Sequence, residues 1–218
     1  MKIVSVNVGL PRESVWKGTP VMTGIFKEPV EGRVRVEALN LAGDRQADLT
    51  VHGGLEKAVY AYPSEHYEYW RRELPEVAFS WGHFGENLTT EGLREDGLCI
   101  GDRLRVGTAV LVVTQPRMPC YKLALRFQRD DMIRRFLGSG RNGFYFSVAE
   151  PGEVHAGAEV EILSLEPNRV TVSDIVRLYL GPERDPELVE RATRVEALPE
   201  SWKAFLLERA RAREAAGS

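Results

Sequence analysis

The sequence predicts a mainly β domain with interspersed helices, closed by a small unit of three helices. Two observations carry that reading. The first three quarters of the 218-residue chain break into short apolar or alternating runs punctuated by glycine and proline, which suits a folded-over sheet or barrel better than alternating βαβ units. After Pro167 the composition shifts to capped segments whose apolar residues recur at helical spacing. The boundary is therefore set between a β domain at 1–166 and a helical unit at 167–218.

The elements follow in order. Ile3 to Val8 alternates apolar with small or polar residues and reads as a strand, not as a secretory signal, which needs a longer apolar stretch. Further strands are expected over Val34 to Leu39, Ala58 to Tyr62, Ala109 to Thr114, Phe144 to Ala149 and Glu159 to Leu163. A helix is expected from Pro63 to Leu74, with proline in its first turn, acids early, arginines late, and a stop at Pro75. A second covers about Asp130 to Leu137, with Gly138 as its stop. In the helical unit, Ser173 opens Asp174 to Leu180, Asp185 and Pro186 open Glu187 to Val195, and Pro199 opens Glu200 to about Glu214. Leu198, Trp202, Phe205, Leu206 and Ala210 mark the buried stripe of the last.

With 43% hydrophobic and 28% charged residues and a formal net charge of −3, the chain has neither the composition of a disordered protein nor the basic footprint of a nucleic-acid binder. An anionic ligand must then be held by a local cluster of cations. No apolar segment approaches the roughly 20 residues that span a bilayer. Two cysteines, Cys99 and Cys120, make no disulfide framework. A reduced, cytoplasmic setting is the expectation.

Cys120 stands out chemically. It lies in Gln115-Pro116-Arg117-Met118-Pro119-Cys120-Tyr121-Lys122, a turn stiffened by two prolines and flanked by cations, which favour the thiolate that binds metals or attacks electrophiles. The same segment also suits a half-buried cysteine beside solvated basic residues. Cys99, between apolar neighbours with no adjacent cation, reads as packing. Val51-His52-Gly53-Gly54 either opens a ligand site at the mouth of a sheet or forms a tight turn whose histidine caps it. In Phe84-Gly85-Glu86-Asn87-Leu88, Asn87 is placed to donate to a ligand oxygen, though turns favour Gly and Asn for conformational reasons alone. Gly138-Ser139-Gly140-Arg141-Asn142-Gly143 sets one arginine among glycines, a pattern suited to phosphate but without P-loop or dinucleotide spacing. The scattered histidines and cysteines do not make a zinc site. By residue type, a hydrolase triad of Cys120, His52 and Asp44 stays open.

Together, His52-Gly53-Gly54, Gly85-Glu86-Asn87-Leu88, the Cys120 segment and Gly140-Arg141-Asn142-Gly143-Phe144-Tyr145 occur in an order and placement that resemble the MOSC domain family, closest to its YiiM-like branch. Each motif is weak singly, but the set of four is specific and covers nearly the whole chain. The resemblance implies a β-barrel domain followed by the three-helix unit, and a bound molybdenum cofactor, a pterin dithiolene with a terminal phosphate, whose metal Cys120 ligates. Pyridoxal phosphate is not expected. The implied reaction removes oxygen from N-hydroxylated compounds such as hydroxylaminopurines and amidoximes, with electrons from an external flavin or iron–sulfur reductase. His52, Gly53, Asn87, Arg117, Lys122, Arg141 and Asn142 are the expected cofactor contacts, and Cys120 and His52 the catalytic pair. Lys57 and Glu86 are placed to assist proton delivery. The competing readings are a sulfur carrier or cofactor-handling protein with a persulfide on Cys120, and a binding module for anions without turnover.

Overall fold

The computed structural model describes residues 1–47, 53–181 and 185–216, the side chains of the last four excepted. His52 lies outside the described residues. The strands are β1 (Lys2–Val8), β2 (Arg12–Trp16), β3 (Thr19–Thr23), β4 (Glu28–Pro29), β5 (Val34–Val36), β6 (Val59–Pro63), β7 (Leu88–Glu91), β8 (Arg103–Val106), β9 (Ala109–Pro116), β10 (Phe144–Glu150), β11 (Gly152–Val154) and β12 (Val160–Ser164). The helices are α1 (Glu65–Glu73), α2 (Tyr121–Phe127), α3 (Met132–Ser139), α4 (Val172–Leu180), α5 (Pro186–Arg194) and α6 (Glu200–Ala216). None of the described helices is long and apolar enough to cross a membrane.

Eight strands form one sheet in the order β12-β8-β9-β10-β6-β7-β1-β4. The expected barrel does not close. Its ends approach only where Met1 and Ile3 exchange backbone hydrogen bonds with residues 157–160, around the isolated bridge Lys2↔Glu159. The C-terminal half of β1 turns away to pair with β4 at Asn7 and Val8 instead. The architecture is thus a mixed α/β one, an open sheet with helices on it. β6 and β7 run parallel with α1 between them, because a parallel pair needs a crossover and a helix supplies it.

The central strands carry side chains into two cores. In β6, Val59 and Ala61 face one apolar cluster while Tyr60 and Tyr62 face the other, the period-two alternation of a strand buried on both sides. β10 repeats the pattern, with Phe144 and Phe146 on the first face and Tyr145 against the second. The second face is aromatic. Tyr67, Trp70 and Leu74 reach it from α1 and its end, Phe127 from α2, and Met132 and Phe136 from α3. The first face holds the sheet's aliphatic residues together with Val172, Ile175 and Leu178 of α4, Leu188 and Ala192 of α5, and Trp202 and Leu206 of α6. The three C-terminal helices therefore share one core with the sheet.

Several local expectations shift by physical detail. α4 starts at Val172 because Thr171, not Ser173, is its cap: the Thr171 hydroxyl accepts from Asp174 N–H, and the Asp174 carboxylate accepts from Thr171 N–H. Asp185 caps α5 as expected, accepting from Leu188 N–H at 2.9 Å. α3 runs through Gly138 and ends at Gly140, whose left-handed φ of 66° closes the last turn. The β5 strand stops at Val36, short of Leu39. The β2–β3 hairpin, β4, β7, β8, β11 and α2 arise without a strong pattern in the sequence.

Candidate functional site

β9 ends at Pro116, the chain turns through 117–119, and α2 begins at Tyr121. This route brings Cys120 to a cleft of about 650 Å³, counting its open mouth, within the usual range for small-molecule sites of roughly 300–1,000 Å³. Cys120 is half-buried. It is the N-terminal cap residue of α2, with extended backbone and no capping bond from its side chain, while its carbonyl accepts from Leu123 N–H at 2.9 Å.

Arg117 is the framed residue of the site. Its backbone N–H donates to Gly143 O at 3.2 Å, and its carbonyl accepts from Asn142 Nδ2 at 3.1 Å. The Asn142 carbonyl in turn accepts from the Tyr60 hydroxyl at 2.9 Å, and the Gly143 N–H donates to Glu95 Oε1 at 2.7 Å. Glu95 is held from its other side by His66 Nε2 at 2.8 Å. Gly143 has to be glycine, since its φ is 65° and a Cβ there would sit 2.4 Å from the Ala61 carbonyl oxygen. The guanidinium of Arg117 lies 5.4 Å from the Tyr60 ring centre and 5.0 Å from that of Phe136, a stacking arrangement for which its planar charge is suited. Burial pulls its pKa down, but Tyr60, Tyr145, Cys120 and Tyr62 more than offset this, so the net direction is up and the group stays charged. Its Nη1 is buried with no hydrogen-bond partner among the described residues.

The cleft is also lined by Lys27, Arg45 and Lys57. Lys27 is 7% exposed and ion-paired to Asp44; burial lowers its pKa, and Asp44 works against that. Asp44 also accepts from Gly9 N–H at 2.9 Å and from Asn87 Nδ2 at 2.9 Å, so both of its oxygens are engaged in holding the wall. The wall is close-packed: a Cβ on Gly24 would meet the Arg45 carbonyl oxygen at 2.4 Å. Tyr60, Phe84 and Tyr145 supply aromatic surface. Burial raises the pKa of Tyr60 and of Tyr145, with Arg117 opposing it in both, so both phenols keep their protons at neutral pH. A thiol, a cationic wall and flat aromatic faces together suit an anionic planar ligand that offers a soft partner to sulfur.

Of the residues expected from sequence, the cleft brings together Lys57, Asn87, Arg117, Cys120 and Lys122. Asn87 touches it with an amide already committed, Oδ1 accepting from Tyr60 N–H and Nδ2 donating to Asp44. Gly53, Arg141 and Asn142 do not line it. Arg141 instead stacks on Tyr69, 3.8 Å from its ring centre, and Asn142 is fully buried behind Arg117. Glu86 is sealed as well: its carboxylate accepts from Gly82 N–H, Phe84 N–H and the hydroxyls of Thr89 and Tyr67, and burial raises its pKa. Sequence reading missed Lys27, Arg45, Tyr60 and Tyr145. Lys27 and Arg45 sit in segments with no motif, whereas Tyr145 was visible as the residue following Gly143-Phe144.

Comparison with known proteins gives consistent matches. The MOSC domain model matches residues 48–161, and the model of the YiiM-like, 3-alpha helix domain matches residues 170–209. Protein YiiM of Escherichia coli (strain K12) is 39% identical over 189 residues, 86% of this chain and 84% of its own. A protein of Gibberella moniliformis named "Reductase" is 33% identical over 181 residues, 82% of this chain but only 32% of that longer protein. The crystal structure of YiiM from Geobacillus stearothermophilus superposes with a TM-score of 0.80 at 33% identity, covering 96% of this chain and 98% of that one.

Proposed function

The chain belongs to the MOSC domain family and carries the YiiM-like three-helix domain, and on that premise we propose that it is a molybdenum cofactor-dependent reductase of N-hydroxylated compounds. The observation that carries the reading is the half-buried thiol of Cys120 in a cleft walled by Arg117, Lys122, Lys27, Arg45 and Lys57. A relative named as a reductase agrees with it.

The residues present fit the group. Arg117 lines the cleft, and its buried Nη1 has no hydrogen-bond partner among the described residues; such a group is costly unless something accepts from it. A phosphate-bearing pterin offers acceptors for that donor and for Lys57 and Lys122, and a ring system for Tyr60, Phe84 and Tyr145. Cys120 offers the soft thiolate expected of a ligand to a dithiolene-bound metal. When bound, the cofactor supplies the redox chemistry that side chains lack.

The chain's own contribution is binding and proton supply. Converting N–OH to N–H and water consumes two electrons and two protons; the electrons come from an external reduced flavin or iron–sulfur protein. Tyr145, protonated at neutral pH and open to the cleft, is the phenol placed to hold a proton near the substrate. The test uses protein from a host that makes the cofactor, assayed with a chemical electron donor on an N-hydroxylated purine or an amidoxime. Amine or amidine should form with the native chain and not with Cys120→Ser. Cyanide-labile sulfur on Cys120 without molybdenum would move the assignment to the sulfur-carrier reading.

A further inference from the structure

The three-helix unit reaches the cleft through one chain of hydrogen bonds. Trp202, in α6, is 8% exposed and packs edge-on against Tyr179, ring centres 5.7 Å apart. Its indole N–H donates to Gln115 Oε1 at 3.0 Å, across 87 positions of sequence. Gln115 Nε2 then donates to the carbonyl of Glu56 at 3.3 Å, and the Thr114 hydroxyl lies 2.6 Å from the same carbonyl. An indole can only donate and a carbonyl can only accept, so the orientation of the buried Gln115 amide is fixed by its two partners. Glu56 is the middle residue of a 3-10 turn, Leu55–Lys57. Within the turn, Lys57 N–H donates to Gly54 O at 3.1 Å, and none of its residues is buried. Lys57 lines the cleft.

We infer that Trp202 is a positioning residue for the cleft: through Gln115 and the Glu56 carbonyl, the C-terminal helices fix the turn that carries Lys57. The three-helix unit is thereby a working part of the site, whichever anionic ligand occupies it. Removing the indole N–H leaves Gln115 Oε1 buried without a donor, and the amide then has no reason to keep its grip on Glu56. The consequence is local, because the ring of Trp202 packs in the core independently of its N–H.

The test uses the full chain and compares Trp202→Phe, which keeps a ring, with Lys57→Met, which sets the value for a missing cation. Two quantities are read. The ratio of alkylation rates at Cys120 by iodoacetate and by iodoacetamide, followed by mass spectrometry, reports the positive potential of the cleft. Hydrogen exchange at the Lys57 amide reports the turn, with the Val176 amide of α4 as control. Trp202→Phe should lower the ratio toward the Lys57→Met value and speed exchange at Lys57 by about tenfold, with Val176 unchanged. Adding Gln115→Leu should change nothing further. Should Trp202→Phe fold poorly, Gln115→Met breaks the same chain from the other side and should reproduce both effects. An unchanged ratio in either variant or in Lys57→Met, or faster exchange spread equally over α4 and the turn, would overturn the inference.

Discussion

At the residue scale, the site depends on Arg117 being charged, buried and one hydrogen bond short. Arg117→Met preserves the packing against Tyr60 and Phe136 but removes the donor, and affinity for inorganic phosphate, measured by calorimetry, should fall by about tenfold or more. Arg117→Lys should recover little of it, because a compact ammonium neither stacks on the two rings nor reaches as a fork. His83 makes a separate prediction. Burial, helped by Arg126, lowers its pKa from 6.5 to about 3, so the folded protein keeps it neutral. Between those values the unfolded chain binds the extra proton. Stability should be at its full value above about pH 6.5 and decline as pH falls toward 3, at up to about 1.4 kcal/mol per pH unit from this group. Urea unfolding of His83→Phe, whose ring can occupy the space between Phe79 and Phe127, should show a shallower decline over that range.

At the scale of elements, the cation wall hangs on the Lys27–Asp44 pair, which joins the segment after β3 to the loop after β5. Asp44→Asn leaves Lys27 buried beside a neutral partner and should cost about 3–5 kcal/mol by chemical denaturation, whereas the double change Lys27→Met with Asp44→Asn should cost less. The same elements show what sequence can and cannot disclose. β1, β6, β9, β10 and α1 were legible because each carries its own signal, an apolar run or acids before arginines, although Pro63, expected in the first turn of α1, is the last residue of β6 and α1 begins at Glu65. β4, of two residues, and β8, whose Arg103 and Arg105 face out, owe their place to neighbours already in the sheet. α2 was hidden because a cysteine is no conventional cap. The lining of the cleft was legible where residues cluster in sequence, as at Arg117, Cys120 and Lys122, and illegible where folding assembles it, as at Lys27, Arg45 and Tyr60. The glycine loop was a good signal with a different meaning: Asn142 and Gly143 clamp the backbone of Arg117, and Arg141 points to Tyr69.

At the scale of the molecule, the sheet and the C-terminal helices share one core, because Val170, Val172, Ile175, Leu188, Trp202 and Leu206 are buried in the same cluster as Ile3, Leu104, Leu111 and Val113. A chain ending before Val170 should therefore lose cooperative thermal unfolding and expose apolar surface to a hydrophobic dye, whereas an independent β domain would melt sharply. The joined body holds the thiol-bearing turn, the arginine and the lysine-bearing turn in fixed relation. On the proposed reading, the occupant of the cleft is a metal-bearing, phosphate-bearing ligand. Its most direct test is the molybdenum and pterin content of the native chain and of Cys120→Ser, both made in a host that synthesises the cofactor. The account predicts about one molybdenum per native chain and a large loss in the variant; a native chain without molybdenum, or a serine variant that holds as much and reduces N-hydroxylated compounds as fast, would contradict it.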